Sequence, residues 1–282
     1  MGSMKRRTVL TALASAAIGV PAYTALADAS AVGTAGDKYI SNTDLYRELA
    51  EKEGVDWARR YRRSAGSVRT AILAPHGGGI ETGTSELCLG IGGCRPDQPA
   101  RQLFSGAAYG YWMFEGLRSS GNSALHVTSA HCDDPFALAL VKGSAFALSL
   151  HGCRAEQLAD DPVDLARSKN RAVLVGGLDT TLRAAVKQAI RSAFTPAQIA
   201  ILDGSEVPGL DGGDKANVVN RTSTGRGVQL EMTTELRRAM FGDASSPAKR
   251  RDTYDASGAY FTKFCGAVRS AIHHHENSAQ SH

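Results

Sequence analysis

The amino-acid sequence predicts a single α/β domain with a mixed, mostly parallel sheet flanked by helices. Short apolar segments that are typical of buried strands alternate along the chain with longer segments of helical spacing. The composition is that of an ordinary globular protein, because 43% of the 282 residues are hydrophobic and 21% are charged. We therefore expect one core-forming domain, over residues 41–272.

The first 27 residues have the layout of an export signal. Basic residues at positions 5–7 precede an apolar stretch over residues 9–20, and Ala25-Leu26-Ala27 provides the small residues of a cleavage site. The apolar stretch is shorter than the roughly 20 residues that span a bilayer. The Arg6-Arg7 pair also resembles a twin-arginine signal. We therefore predict bacterial export to a secreted location, no stable membrane insertion after signal removal, and a flexible lead-in over residues 28–40.

The charge balance gives no reason to expect a nucleic-acid partner. The predicted signal contains three basic residues and no acidic ones, so its removal lowers Lys+Arg from 32 to 29 against 28 Asp+Glu and the net charge from +4 to +1. A nearly neutral mature chain lacks the basic surplus that binding to a phosphate backbone requires. We expect no nucleic-acid binding, and we expect a monomer.

The predicted elements follow one another without an internal repeat. Residues 42–63 have helical spacing with a break near Gly54. The predicted strands are, in order, residues 68–75, 108–116, 124–129, 144–152, 171–177 and the first half of 225–241. The predicted helices after the first are residues 84–90, 134–143, 179–194 with Asp179 as N-cap, the second half of 225–241, and 254–272. We expect the tail, residues 273–282, to be disordered.

Three of these strands end in, or carry, a chemically reactive side chain. His76 and His151 lie at the ends of two strands, and Glu231 lies within a third. In open α/β sheets the functional residues gather where strands end and loops begin. This shared placement makes the three residues candidates for one site.

The glycine-rich stretch APHGGGIETGTSE, residues 74–86, is better suited to a metal than to a phosphate. It lacks the lysine of a phosphate-binding loop, and Glu81 would repel phosphate oxygens. The chain also lacks the G-x-S-x-G motif of serine hydrolases. Zinc takes His, Glu and Asp ligands, so His76, Glu81 across the glycine turn, and His151 form a candidate triad. Each of them also has a structural alternative: a hydrogen-bonded histidine, or a glutamate at a helix N-terminus.

The five cysteines suggest disulfides if the protein is exported. Cys88 and Cys94 bracket a glycine-rich segment and could close a small loop, and Cys132 with Cys153 is a second candidate pair. Because five is an odd number, at least one thiol should be free or should pair between chains.

The motifs together resemble the poly-γ-glutamate hydrolase family, over residues 45–272. The resemblance rests on APHGGGIETGTSEL, HVTS, DDPFAL, ALSLHG, VLVGGLD and NVVNRTSTGRGVQLEMTTELR, which occur in the family's order. It implies a fold similar to that of zinc carboxypeptidases, zinc held by His76, Glu81 and His151, and Glu231 as general base. The chain departs from the family at residues 129–134 and in its cysteine-bracketed CLGIGGC, which bears on the substrate rather than on the metal.

The sequence therefore predicts a secreted zinc-dependent amidohydrolase that cleaves γ-glutamyl amide bonds, with poly-γ-glutamate as substrate. An anionic glutamate polymer or peptide needs arginine forks for its carboxylates, and the candidates near the motifs are Arg154, Arg171 and Arg221. Two alternatives remain open: a zinc amidase or carboxypeptidase that acts on cell-wall peptides, and a non-catalytic secreted protein that keeps zinc in a structural role.

Overall fold

The computed structural model describes residues 36–64, 69–158 and 162–279. The helices are α1 (Asn42–Glu48), α2 (Thr84–Ile91), α3 (Pro135–Lys142), α4 (Pro162–Arg167), α5 (Thr180–Ala193), α6 (Thr234–Ala239), α7 (Pro247–Thr253) and α8 (Phe261–Ser278). The strands are β1 (Trp57–Arg62), β2 (Thr70–Gly78), β3 (Gly110–Gly116), β4 (Phe146–Cys153), β5 (Ala172–Gly176), β6 (Ala200–Asp203) and β7 (Val228–Thr233). The predicted signal, residues 1–27, lies outside the described residues.

In the described part of the chain, seven strands form one sheet in the order β1-β3-β2-β4-β7-β5-β6. The pairs β2–β3, β2–β4, β4–β7 and β5–β6 are parallel. The pairs β1–β3 and β5–β7 are antiparallel. The predicted α/β class, with a mixed and mostly parallel sheet flanked by helices, is therefore confirmed.

The two faces of the central strands differ in polarity, and this difference positions the site. Successive side chains of a strand point to opposite faces. On one face, β4 and β7 contribute apolar residues to the main core beneath α2, α5 and α8: Phe146, Leu148, Leu150, Val228, Leu230 and Met232. On the other face the same strands present buried polar side chains: Ser149, His151, Gln229 and Glu231. Buried polar groups need hydrogen-bond or ligand partners. The candidate functional site lies on this polar face.

Helix α5 shows how local sequence signals agree with the packing. The Asp179 side chain accepts a hydrogen bond from the Leu182 backbone N–H, as its predicted N-cap role requires. Leu182, Val186 and Ile190 recur at helical spacing and are fully buried. This apolar stripe packs the helix against α8 and the main core.

Two predicted elements are wrong, for reasons that lie in tertiary contacts. Helix α1 ends at Glu48, and the second half of the predicted helix is strand β1. There the Arg60 guanidinium donates two hydrogen bonds to the Glu115 carboxylate, at 2.6 and 2.8 Å, which favours the strand over the helix. The predicted strand 124–129 is a loop with short 3₁₀ turns, because its backbone binds the side chains of His76 and Asp37 instead of a neighbouring strand.

The two ends of the domain are more ordered than the sequence predicted. Within the described part of the lead-in, Tyr39 is fully buried and Asp37 is hydrogen-bonded to residues 126 and 128. The expected disordered tail is helical as far as Ser278. Its Glu276 carboxylate accepts hydrogen bonds from the Arg69 backbone N–H and the Thr70 hydroxyl, which ties the end of α8 to the start of β2.

The disulfide prediction is wrong. All five cysteines lie in the described residues, and each is a buried free thiol. Cys88 faces the carbonyl oxygens of Ile72 and Trp112, whereas the Cys94 sulfur faces the Arg62 guanidinium. Cys132 and Cys153 lie in separate apolar clusters.

Among the described helices, none combines the length and the apolar character needed to cross a bilayer.

Candidate metal centre

The glycine turn at the end of β2 brings Glu81 back to His76, as the glycine-rich sequence predicted. Gly78 has a φ of 65°, and a Cβ there would lie 2.3 Å from the Gly116 carbonyl oxygen. Only glycine fits this left-handed, tightly packed position. The turn closes with a hydrogen bond from the Glu81 backbone N–H to the His76 carbonyl, at 2.8 Å. Backbone and side chains of the two residues therefore meet.

Three buried side chains converge at the carboxyl ends of β2 and β4. The His76 Nδ1 atom lies 3.1 Å from Glu81 Oε1 and 3.1 Å from His151 Nδ1. The ligand atoms of all three residues lie within 4.8 Å of one another. The structure thus brings together the predicted triad of His76, Glu81 and His151.

Outer contacts orient these three side chains. The His76 Nε2–H donates to the Val127 carbonyl at 2.9 Å, and the Gly152 backbone N–H donates to Glu81 Oε2 at 2.8 Å. Ser129 Oγ lies 3.5 Å from His151 Nε2. A histidine that ligates a metal commonly uses its other ring N–H in this way, because the outer bond fixes the tautomer and the ring orientation.

The charge state of the cluster is tuned by burial and by mutual contact. Burial opposes a charge on His76, but the Glu81 carboxylate outweighs burial and raises the pKa of His76. Burial would also favour neutral Glu81, yet the two histidines bring the pKa of Glu81 down to about 2. Burial lowers the pKa of His151 to about 3. At neutral pH the Glu81 carboxylate is therefore ionised and the His151 imidazole is neutral.

These groups fit a divalent cation with nitrogen and oxygen ligands. Because the Val127 carbonyl only accepts, the His76 ring keeps its hydrogen on Nε2, and Nδ1 faces a carboxylate oxygen and a second imidazole nitrogen. Such a set of electron-rich atoms is stable only with a bridging proton or cation between them. Two imidazoles and a carboxylate match the three protein ligands of a zinc site that keeps one position open.

Glu231 lies next to this cluster, on the strand beside His151. The two residues are register partners in the parallel β4–β7 pair, so their side chains share the polar face. Burial raises the pKa of Glu231 well above its ordinary value, the Glu81 charge adds to this, and the nearby Arg237 guanidinium and the Gln229 hydrogen bond oppose it. A buried carboxyl group with a raised pKa is suited to accept and return a proton.

Three residues around the centre were not among the candidates that we named from the sequence. Gln229 Nε2 donates to Glu231 Oε1 at 2.9 Å. Arg237 is buried beneath the centre, where a Cβ on Gly152 would lie 2.6 Å from its Cζ atom. Asp37 holds the His126 ring, which lies against the His76 ring at a tilt of 31° with ring centroids 3.9 Å apart. Only Gln229 and Arg237 had a usable signal, since polar residues in an apolar strand-and-helix segment call for buried partners.

The three candidate arginines differ in their contacts. The Arg171 guanidinium donates to the Ser168 and Ala197 carbonyls. The Arg221 guanidinium donates to the Ala216, Cys132 and Ala130 carbonyls. Arg154 follows the last residue of β4, is exposed, and makes no side-chain hydrogen bond or ion pair with the described residues. The structure therefore separates Arg154 from the two arginines that brace the fold.

The fold and the cluster define the class: an α/β protein with a candidate hydrolytic metal centre at the carboxyl edge of its sheet. A family model described as poly-gamma-glutamate hydrolase matches residues 43–267. The chain belongs to the poly-gamma-glutamate hydrolase family, as its motifs predicted.

Two curated relatives match part of this chain. The SPbeta prophage-derived UPF0714 protein YoqZ of Bacillus subtilis (strain 168) is 38% identical over 173 residues, which cover 61% of this chain and 52% of YoqZ. UPF0714 protein YndL of the same organism is 34% identical over 171 residues, covering 61% of this chain and 56% of YndL. The chain thus spans little more than half the length of these two relatives.

Solved structures share the fold over most of this chain. A bacteriophage poly-gamma-glutamate hydrolase superposes with a TM-score of 0.67 at 30% identity, covering 86% of this chain and 99% of the phage chain. A zinc-free apo form of YndL superposes with a TM-score of 0.64 at 27% identity, covering 84% and 98%. The α/β architecture is therefore that of the family.

Proposed function

We propose that this protein is a secreted zinc-dependent amidohydrolase that cleaves γ-glutamyl amide bonds, with poly-γ-glutamate as its substrate. The observation that carries the proposal is the buried His76–Glu81–His151 cluster with Glu231 beside it on the same face of the sheet. Family membership supports the substrate class, and the zinc-free form of YndL supports zinc as the metal.

The chain's own residues divide the work of amide hydrolysis between them. His76, Glu81 and His151 would hold the metal, which when bound supplies Lewis-acid polarisation and an acidified water. Glu231 takes the proton of the attacking water on its carboxylate and delivers it to the departing amine. The carboxylate form of Glu231 is favoured by any cation held at the cluster, which offsets the effect of burial.

The substrate's free carboxylates call for a cation near the centre. We assign this role to Arg154, three residues after His151, because its guanidinium is exposed and makes no hydrogen bond or ion pair with the described residues. Arginine binds a carboxylate through two parallel N–H donors. The guanidinium groups of Arg171 and Arg221 donate hydrogen bonds to backbone carbonyls, and these bonds stabilise the fold.

The test follows the chain length of poly-γ-glutamate by size-exclusion chromatography. We expect the zinc-loaded protein to shorten the polymer, chelation to abolish the reaction, and added zinc to restore it. Glu231→Gln keeps the shape of the side chain and removes its proton acceptor, so it should retain zinc and lose about 10²–10⁴ in kcat. Full activity of the metal-free protein or of His76→Ala would contradict the mechanism.

Assays of poly-γ-glutamate and cell-wall peptides side by side distinguish the proposed function from its two alternatives. Hydrolysis of cell-wall peptides in preference to poly-γ-glutamate would favour a cell-wall amidase or carboxypeptidase. Bound zinc without hydrolysis of either substrate would favour the structural-zinc protein.

Export remains part of the proposal, since residues 1–27 have the sequence layout of an export signal and lie outside the described residues. We expect the protein in the culture medium as a monomer, and Arg6→Lys together with Arg7→Lys should retain it in the cell if the twin-arginine route is used. Fractionation and light scattering check both statements.

A further inference from the structure

A short segment in front of the family-matched region reaches the candidate metal centre. The family match begins at residue 43, whereas the described chain begins at residue 36. Within this segment the Asp37 side chain is largely buried. The segment therefore lies outside the region that the family model matches, and it contacts the site.

Asp37 binds two groups of the loop over residues 126–128. Its Oδ1 atom lies 2.7 Å from His126 Nδ1, and its Oδ2 atom accepts a hydrogen bond from the Thr128 backbone N–H. Burial opposes the charge of Asp37, but these hydrogen bonds outweigh it and hold the pKa of Asp37 well below its ordinary value. The carboxylate is thus an ionised anchor for the loop.

The anchored loop is the one that orients His76. The residue between the two anchor points, Val127, accepts the His76 Nε2–H at 2.9 Å. The His126 ring, held on its other edge by Asp37, lies against the His76 ring at 3.9 Å between centroids. Both contacts that fix the plane of the His76 imidazole on this side therefore depend on Asp37.

We propose that Asp37 is a positioning residue for the metal centre: it fixes the loop 126–128 and through it the His76 imidazole, and so raises the affinity for zinc. The inference rests on the proposed function, because it takes His76 as a zinc ligand. An outer group that fixes a ligand's orientation contributes to metal affinity because the ligand has less freedom to lose on binding.

The segment and helix α1, which follows it, have other anchors, so loss of Asp37 should leave the fold intact. Tyr39 is fully buried in an apolar cluster, and the Thr43 backbone N–H donates to Asp133 Oδ1 at 2.8 Å. The Tyr46 hydroxyl donates to Asp134 Oδ2 at 2.8 Å. Asp37 contacts the loop in front of the centre, whereas these groups contact the core and the start of α3.

The experiment measures zinc affinity in competition with a chromogenic chelator, together with the melting temperature of each metal-free protein. The variants are Asp37→Ala, Asp37→Asn and, as a matched control, Lys38→Ala. Lys38 belongs to the same segment but binds Tyr39 and Glu48 instead of the loop. The asparagine variant changes the shape least and keeps one acceptor oxygen, so it covers the case in which the alanine variant fails to fold.

We expect the Kd for zinc to rise about tenfold in Asp37→Ala and by a smaller factor in Asp37→Asn. Lys38→Ala should bind zinc as the wild type does, and the metal-free melting temperatures give the temperature range in which each variant is folded for the zinc titration. Equal zinc affinity in the wild type and both Asp37 variants would overturn the inference. A wild-type chain that binds no zinc would overturn it together with the zinc-dependent mechanism, whereas bound zinc without hydrolysis would count only against the proposed function.

Discussion

At the scale of single residues, the orientation of Glu231 depends on two buried amides. Asn217 Nδ2 donates to Gln229 Oε1 at 2.8 Å, and Gln229 Nε2 donates to Glu231 Oε1 at 2.9 Å. The first bond fixes which end of the Gln229 amide faces Glu231. The polarity of this chain of hydrogen bonds therefore keeps a donor on the carboxylate.

Asn217→Asp should reverse that polarity without removing the turn. Asn217 Oδ1 accepts from the Val219 backbone N–H, and aspartate keeps that bond. The lost donor leaves Gln229 free to turn its oxygen toward Glu231. Since a hydrogen bond to a charged group contributes about 1.5–3 kcal/mol, we expect kcat to fall about tenfold or more with little change in KM.

The control for this variant is Asn220→Asp. The Asn220 amide donates to the Gly212 and Asp214 carbonyls and not to Gln229. The Asn220→Asp variant should show its effect mainly in a lower melting temperature, with only a small loss of kcat. Equal losses of kcat in the two variants would show that the amide chain has no special role.

Arg154 offers a test of substrate binding at the same scale. Arg154→Ala should raise KM for poly-γ-glutamate about tenfold and leave the melting temperature unchanged, because an exposed charged donor is lost. Arg171→Ala is the matched arginine, since its guanidinium donates to two backbone carbonyls. It should lower the melting temperature and leave KM near the wild-type value. Steady-state kinetics and thermal unfolding check the pair, and an unchanged KM in Arg154→Ala would remove Arg154 from the site.

At the scale of elements, α5 and β6 are joined by an ionic cluster. The Asp203 carboxylate at the end of β6 binds Arg183 and Lys187, which lie one turn apart on α5. Burial would raise the pKa of Asp203, but the hydrogen bonds from Lys187 and Ser205 and the charge of Arg183 lower it below its ordinary value. Since the folded pKa lies below the unfolded one, the stabilisation is present above the unfolded pKa and is lost as pH falls through the folded pKa.

Asp203→Asn should therefore destabilise the protein by about 1 kcal/mol near neutral pH, as expected for a partly exposed network. The difference from the wild type should narrow as pH falls below about 3.9, the ordinary pKa of an unfolded aspartate. Urea unfolding at several pH values measures it. Asp97→Asn is the control, because Asp97 forms its ion pair with Arg95, only two residues away in the chain. A difference that is independent of pH would exclude the ionic explanation.

The same scale explains why two element predictions were wrong. The segment 57–62 is rich in arginine, a good helix former, but Arg60 finds its partner Glu115 on β3. The apolar residues of 124–129 look like a strand, yet their backbone is bound by Asp37 and His76 side chains instead of a ladder. Both outcomes depend on partners that are distant in sequence.

At the scale of the whole molecule, the candidate centre links metal binding to stability. A ligand that binds only the folded state stabilises it by about 2.7 kcal/mol at a hundredfold excess over Kd. For a domain of this size that corresponds to a rise of about 5–10 °C in melting temperature. We expect added zinc to produce this shift in the wild type, and Glu81→Ala to abolish it. An equal shift in Glu81→Ala would place the zinc elsewhere, for example at His273–His275 on α8.

The sequence by itself determined the class of fold and the triad. Apolar segments alternating with amphipathic ones predict layers of helix on sheet, since each element must bury its own apolar face. His76 and Glu81 are only five residues apart across a glycine turn, so their meeting is a local property. His151 could be placed at a strand end, where parallel strands carry their loops to a common edge, and Glu231 could be placed within another predicted strand.

Only the tertiary structure decided the rest. Sheet order and loop packing bring together residues that are distant in sequence. Examples are the register pair of His151 and Glu231, the hydrogen bond between Asn217 and Gln229, and the contact of Asp37 with His126. The free thiols follow from the same cause, because side-chain direction within a packed core decides which sulfur atoms can meet. Local sequence fixes what each residue can do chemically, and long-range packing selects the partner with which it does so.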